Sequence, residues 1–164
     1  LINKGERKLT PKVFTSKEIE WDVIEEFRRL HIKESGRETR SIQSWEKQYQ
    51  SIQEEEGFCV CGYIDSQMVS AGLFLNNNSH CFYGVSASRR DMFDQPLFHS
   101  LLWKAIQHAK KIGLTTFETG FDYPLQTLLA TPNESTKKEK AIAYFKSGYG
   151  GKMHPILRLQ INGK

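Results

Sequence analysis

The side chains able to do chemistry in this chain are few and scattered. Arg89 and Arg90 stand together between a predicted strand and a predicted helix. Two adjacent guanidinium forks suit a phosphate or another planar anion. A solvated basic turn paired with Asp91 and Asp94 is the other reading. Tyr83 and Tyr149 are phenols that can give a proton to a leaving group, or pack as aromatic rings. Glu118 is a carboxylate on a predicted strand, fit to act as a base or to face solvent. Lys146 lies in the last turn of a predicted helix, where a cation complements the helix dipole. Arg37 and Arg40 precede a predicted helix, where they can meet an anionic acceptor or water.

The cysteines point elsewhere. Cys59 and Cys61 alternate on one face of a predicted strand, where thiols pack as small apolar groups. With His80 and Cys81 they could in principle hold a metal, but the spacing fits no zinc pattern, so no metal is expected. Reduced thiols suit a cytoplasmic protein. No nucleophilic triad is recognisable.

These residues need a scaffold, and 164 residues supply one domain's worth. Hydrophobic residues at 38% and aromatics at 12% exclude disorder as the main state. No stretch approaches the ~18 apolar residues of a membrane span. The net charge of +4 is uneven, with an acidic middle and a basic last third, which is compatible with an anionic ligand or an ordinary solvated surface.

Hydrophobic spacing gives the elements. Residues 1–14 read as an extended polar arm, with Val13-Phe14 a candidate strand. Thr15-Ser16-Lys17-Glu18 reads as a capping box for a helix buried through Val23, Phe27 and Leu30 and stopped by Gly36. Trp45, Tyr49 and Ile52 mark a second helix, ended by Gly57. The period then becomes alternating, and residues 58–64, 68–75 and 80–87 read as an antiparallel meander. A helix is expected to start at Asp94, with Pro96 in its first turn. Its apolar face is Leu97, Leu101, Leu102, Ala105, Ile106, Ala109 and Ile112, with Gly113 as cap. A strand over 114–120, a Pro-containing loop over 121–135, a helix from Thr136 buried through Ile142 and Phe145, and a strand over 156–161 complete the chain. The fold class is therefore α/β, one domain over 15–164 around a mixed, mostly antiparallel sheet flanked by helices.

This order resembles that of the GNAT acyltransferase fold. Local sequence resembles one branch of it. The segments Phe82-Tyr83-Gly84-Val85-Ser86-Ala87-Ser88, Pro96 to Trp103, Ala109 to Gly113, Phe117 to Gly120 and Tyr144-Phe145-Lys146-Ser147-Gly148-Tyr149-Gly150-Gly151 look like the C-terminal half of FemABX-like transferases. Such proteins carry two GNAT-like domains and move amino acids from aminoacyl-tRNA to cell-envelope precursors. The resemblance implies acyl or aminoacyl transfer to an amine. The donor would be aminoacyl-tRNA or acyl-CoA, with no permanently bound cofactor. The acceptor would be a small molecule or an envelope precursor. It also implies a chain that is about half of a two-domain protein, completed by a partner domain or by a second copy; the start at Leu1 rather than Met fits a fragment. The other expectations are an ordinary acyl-CoA N-acetyltransferase and a non-catalytic GNAT-like binding module.

By the same resemblance, Lys146, backed by Phe145, binds the donor's phosphate or offsets charge on the leaving group. Arg89, Arg90, Tyr83 and Ser86 line the donor slot, Tyr149 and Glu118 act as acid and base, and Arg37 and Arg40 face the acceptor. Residues 88–95 contain no glycine. A backbone cradle for diphosphate needs the close approach that glycine allows, so side chains would hold the anion here.

Overall fold

A computed structural model describes residues 1–120, 136–152 and 154. The chain divides into two compact units, Leu1–Glu118 and Thr119–Lys164, a boundary that falls inside the stretch read from sequence as one domain.

The first unit is a five-stranded sheet in sequence order, β1 (Thr10–Phe14), β2 (Gly57–Ile64), β3 (Gln67–Asn77), β4 (His80–Ser88) and β5 (Thr116–Glu118). The first four strands run antiparallel to their neighbours, and β5 joins β4 in parallel. Helices α2 (Trp21–Ser35) and α3 (Ile42–Gln53) cover one face, while α4 (Leu97–Lys111) covers the other with α1 (Ile2–Glu6) packed against it. Because both faces are covered, β2 is buried along most of its length instead of alternating. On the α2/α3 face Cys59, Cys61, Ala71, Leu73 and Val85 meet Ile24, Phe27, Leu30, Trp45 and Ile52. Phe27 and Trp45 meet edge to face at 5.1 Å.

Several sequence expectations change in detail. The arm over 1–14 is extended only in part: α1 occupies Ile2–Glu6, and the Val13-Phe14 candidate is the end of β1. Leu9 is buried and presses on Gly62 beside Leu101, so an apolar anchor folds the arm onto the sheet. Gly5 lies against the start of α4, where a Cβ would come within 2.6 Å of the Pro96 carbonyl oxygen. Thr15 and Glu18 do bond side chain to backbone as a capping box would, yet they close only a turn, and α2 begins at Trp21. Its buried stripe is Ile24, Phe27 and Leu30, with Val23 only half-buried against it. Helix α3 ends at Gln53, and Gly57 instead opens β2, where a Cβ would come within 2.7 Å of the Phe74 carbonyl oxygen. Pro96 caps α4 rather than sitting inside it. Ile106 is half-buried, and Ile112 lies past the helix, mostly in solvent. The β2–β3 turn places Asp65 and Ser66 both at positive φ, 48° and 62°, which is the twist a tight hairpin requires.

In the second unit α5 (Lys137–Ser147) is followed by Gly148, as expected. Ile142 does not form its buried side: Ile142 is exposed, and Phe145 is half-buried. The loop over 121–135 and the strand expected over 156–161 lie outside the described residues.

Candidate functional site

The site begins with a break in the sheet. Strand β4 pairs with β5 only through His80, Cys81 and Phe82, opposite Thr116, Phe117 and Glu118. On its other side β4 stays paired with β3 as far as Ser88. So from Tyr83 to Ser88 one edge of β4 carries no strand partner among the described residues. The register slips at the same place: Phe74 faces Tyr83 while Leu73 faces Val85, leaving Gly84 as the extra residue of a bulge. A bulge bends its strand and adds twist, which turns β4 away from a straight neighbour. Glu118, half-buried, ends β5 where the two strands part.

Tyr83 and Ser86 occupy this unpaired stretch, and the Tyr83 hydroxyl is hydrogen-bonded to Ser86 Oγ. The Tyr83 ring stacks on Phe98 of α4 at 5.5 Å and leans on Phe74 at 5.7 Å. Burial pushes the phenol above its ordinary range, and the Ser86 hydrogen bond offsets part of this. It therefore stays protonated near neutrality, as a proton donor must. Farther along, Ser88 and the fully buried Ser70 share a 2.6 Å hydrogen bond.

Beyond Ser88 the chain makes a 3-10 turn over Arg90–Met92 and enters α4. The turn bonds to itself and to its surroundings. The Arg89 amide donates to the Val69 carbonyl at 2.9 Å, Met92 to Arg89, Phe93 to Arg90 and Gln95 to Met92. The Arg90 amide donates to Glu34 Oε2 at 2.9 Å. The amides of Arg89, Arg90, Met92, Phe93 and Gln95 are thus already engaged, and the guanidinium groups are the cations the turn offers to a phosphate. Arg89 is held in a two-bond fork by Asp91, with its Nε 3.0 Å from Oδ1. The Asp91 hydrogen bond holds the Arg89 guanidinium firmly charged, and Arg89 in turn holds the Asp91 carboxyl below its usual range. The Arg90 side chain is exposed.

Arg37 and Arg40 lie on the exposed connection between α2 and α3. Burial lowers the His31 pKa, and the charge of Arg40 lowers it further. Lys146, Phe145 and Tyr149 belong to the second unit. There Lys146 Nζ lies 3.5 Å from the position a Cβ on Gly120 would take, and Gly120 itself has φ +80°. Phe145 and Tyr149 meet edge to face at 5.5 Å. Tyr83, Ser86, Arg89 and Arg90 therefore follow one another along β4 and into the turn, with Glu118 opposite Phe82 where β5 ends.

The cysteines pack in the core. Cys59 and Cys61 lie buried with sulfurs 3.4 Å apart, burial pushes the Cys61 thiol up, and burial pushes Cys81 up to about 12. No cluster of three metal-ligating side chains occurs among the described residues. A shallow groove at the β1 edge, lined in part by Arg7, Lys8, Thr10 and Tyr63, contains none of the candidate residues. Sequence reasoning missed Phe98 and Glu34. Phe98 had no signal beyond an apolar place on a helix. Glu34 is a carboxylate near the negative end of a helix, where the dipole disfavours it.

No family model matches the sequence, and no curated protein does at a significant level. Solved structures do match the fold. An aminoglycoside acetyltransferase from an uncultured soil metagenomic sample superposes with a TM-score of 0.68 at 10% identity, over 97% of this chain and 99% of that one. The aminoglycoside antibiotic 6'-N-acetyltransferase of Acinetobacter baumannii gives 0.62 at 10% identity, over 94% and 99%. The ribosomal-protein-S18-alanine N-acetyltransferase of Escherichia coli gives 0.53 at 14% identity, over 66% and 64%.

Proposed function

We propose that this chain, which has the GNAT acyltransferase fold, moves an acyl group from a CoA thioester to the amine of a small acceptor. The observation that carries the proposal is the edge of β4 over Tyr83–Ser88, without a strand partner among the described residues and running directly into the Arg89–Arg90 turn. A strand edge offers backbone N–H and C=O groups to an extended partner. The amide-bearing arm of CoA is such a partner, and its diphosphate would then fall near the two arginines and the start of α4.

Acyl transfer forms a C–N bond and breaks the C–S bond. The attacking amine loses a proton, and the departing thiolate gains one. In this reading a β4 amide at the unpaired edge polarises the thioester carbonyl and stabilises the oxyanion. Tyr83, held neutral by burial and oriented by Ser86, donates to the thiolate. Glu118 receives the amine's proton through water. For Lys146, Phe145 and Tyr149, which belong to the second unit, the donor and acid roles have the sequence resemblance behind them. These roles are proposals for each residue.

The aminoacyl-tRNA donor and the envelope acceptor have the sequence resemblance alone behind them. The solved neighbours are acetyltransferases, which favours the CoA thioester. Two acceptor chemistries remain to be separated by experiment. Arg37 and Arg40 favour an amine that also carries an anionic group, whereas the neighbours named for aminoglycosides act on polycations.

The test is calorimetric titration with acetyl-CoA, followed by thiol release with anionic and polycationic amines. Micromolar binding and turnover with one acceptor class are expected. Absence of CoA binding at millimolar concentration, alongside binding of aminoacyl-tRNA, would overturn the donor assignment.

A further inference from the structure

We propose that Glu34 is a positioning residue for the donor. From the end of α2 it fixes the backbone of the turn that carries Arg89 and Arg90. The proposal rests on the donor reading above. Glu34 Oε2 accepts the Arg90 amide at 2.9 Å, a bond between positions 56 apart in sequence. Of the turn's hydrogen-bonded amides, those of Arg89, Met92, Phe93 and Gln95 go to backbone carbonyls, and that of Arg90 goes to a side chain of another element.

The placement of Glu34 is costly for the helix. It sits in the last turn of α2, two residues before the left-handed Gly36 cap, where the helix dipole presents negative charge. A carboxylate there is favoured by what it binds outside the helix. Its charge also acts on the Arg89 guanidinium, while neighbouring Lys33 acts on Asp91. With one anchor, the α2 end and the donor turn are held in a fixed relation, and the two guanidinium groups meet the donor's phosphates in one geometry. The gain is pre-organisation, which appears in donor affinity rather than in the chemical step.

The experiment compares wild type, Glu34→Ala and Glu34→Gln. Glutamine keeps an oxygen able to accept the amide, and alanine does not. Three readouts are taken: the dissociation constant for CoA, kcat at saturating donor, and hydrogen exchange at the Arg90 amide. Glu34→Ala is expected to weaken CoA binding about tenfold, as loss of a hydrogen bond to a charged group implies. Its Arg90 amide should exchange faster, and its kcat and melting temperature should stay near wild type. Glu34→Gln should restore most of the affinity and the exchange protection. If wild type binds CoA and Glu34→Ala binds it equally well, the role of Glu34 is wrong while the donor site stands. If wild type binds no CoA, the donor reading falls and this proposal falls with it. Equal loss of affinity in both variants would show that charge, not the amide anchor, is what matters, and would also overturn the proposal.

Discussion

At the scale of single residues, two contacts carry most of the proposed chemistry. The half-buried Tyr83 phenol packs against Phe98 and Phe74 and is tied to Ser86, so removing its oxygen should leave the ring packing in place. Tyr83→Phe is expected to lower kcat by about 10²-fold, the usual worth of a general acid. Donor affinity and melting temperature should change little; unchanged turnover would remove Tyr83 from the mechanism. Asp91 fills the Arg89 fork as a phosphate would. Asp91→Asn should therefore bind CoA more tightly, by a few-fold and more so at low salt, as titration at two ionic strengths would reveal. Weaker binding would mean that Asp91 orients Arg89 rather than competing for it. Both arginines were legible from their type and from their place between strand and helix. The carboxylate in the Arg89 fork was legible as a neighbour in sequence, but Glu34, on a distant helix, was not.

At the scale of elements, the decisive event is the bulge at Gly84, which falls where β4 loses β5. Alternation over residues 80–87 gave the strand, yet alternation says nothing about which edge is paired or for how long. The helices show the same limit. Spacing found α2, α3 and α4, because a helix must bury one stripe. It missed the start of α2: Glu18 accepts the Thr15 amide as one half of a capping box, but the chain closes only a turn there, with Ile19 buried in the core. The N-terminal arm is the clearest miss. Its polar composition hid two small anchors, Gly5 and Leu9, that dock it against α4 and the sheet. Gly5→Ala should destabilise the protein by about 1–3 kcal/mol, since the added carbon meets the Pro96 carbonyl with no flexible side chain to yield. A thermal melt checks this; an unchanged midpoint would mean that α1 is not firmly docked on the start of α4.

At the scale of the whole molecule, three half-buried imidazoles set the response to acid. Burial lowers the pKa of His31, His99 and His108 below the ordinary 6.5. The unfolded chain then binds more protons than the folded one just below that value, so stability rises with pH there. Stability should accordingly be full above about pH 6.5 and fall as the pH drops toward the folded values, followed at lower pH by loss of the Glu25 carboxylate held down by Arg28 and Arg29. Calorimetry between pH 7.5 and 5, roughly spanning that window, should show a falling midpoint; a flat profile would mean that the imidazoles are solvated. Among the described residues no helix is long and apolar enough to cross a membrane. The sequence by itself determined the α/β class, the central run of two helices, three strands and a helix, the packing of Cys59 and Cys61 and the cationic turn, because each is written in local period, residue type and turn chemistry. Tertiary structure alone decided that β4 parts from β5 after Phe82 among the described residues, that half-buried Tyr83 bonds to Ser86, and that Glu34 accepts the Arg90 amide. Those depend on which distant residues meet, and local spacing carries no record of partners fifty positions away.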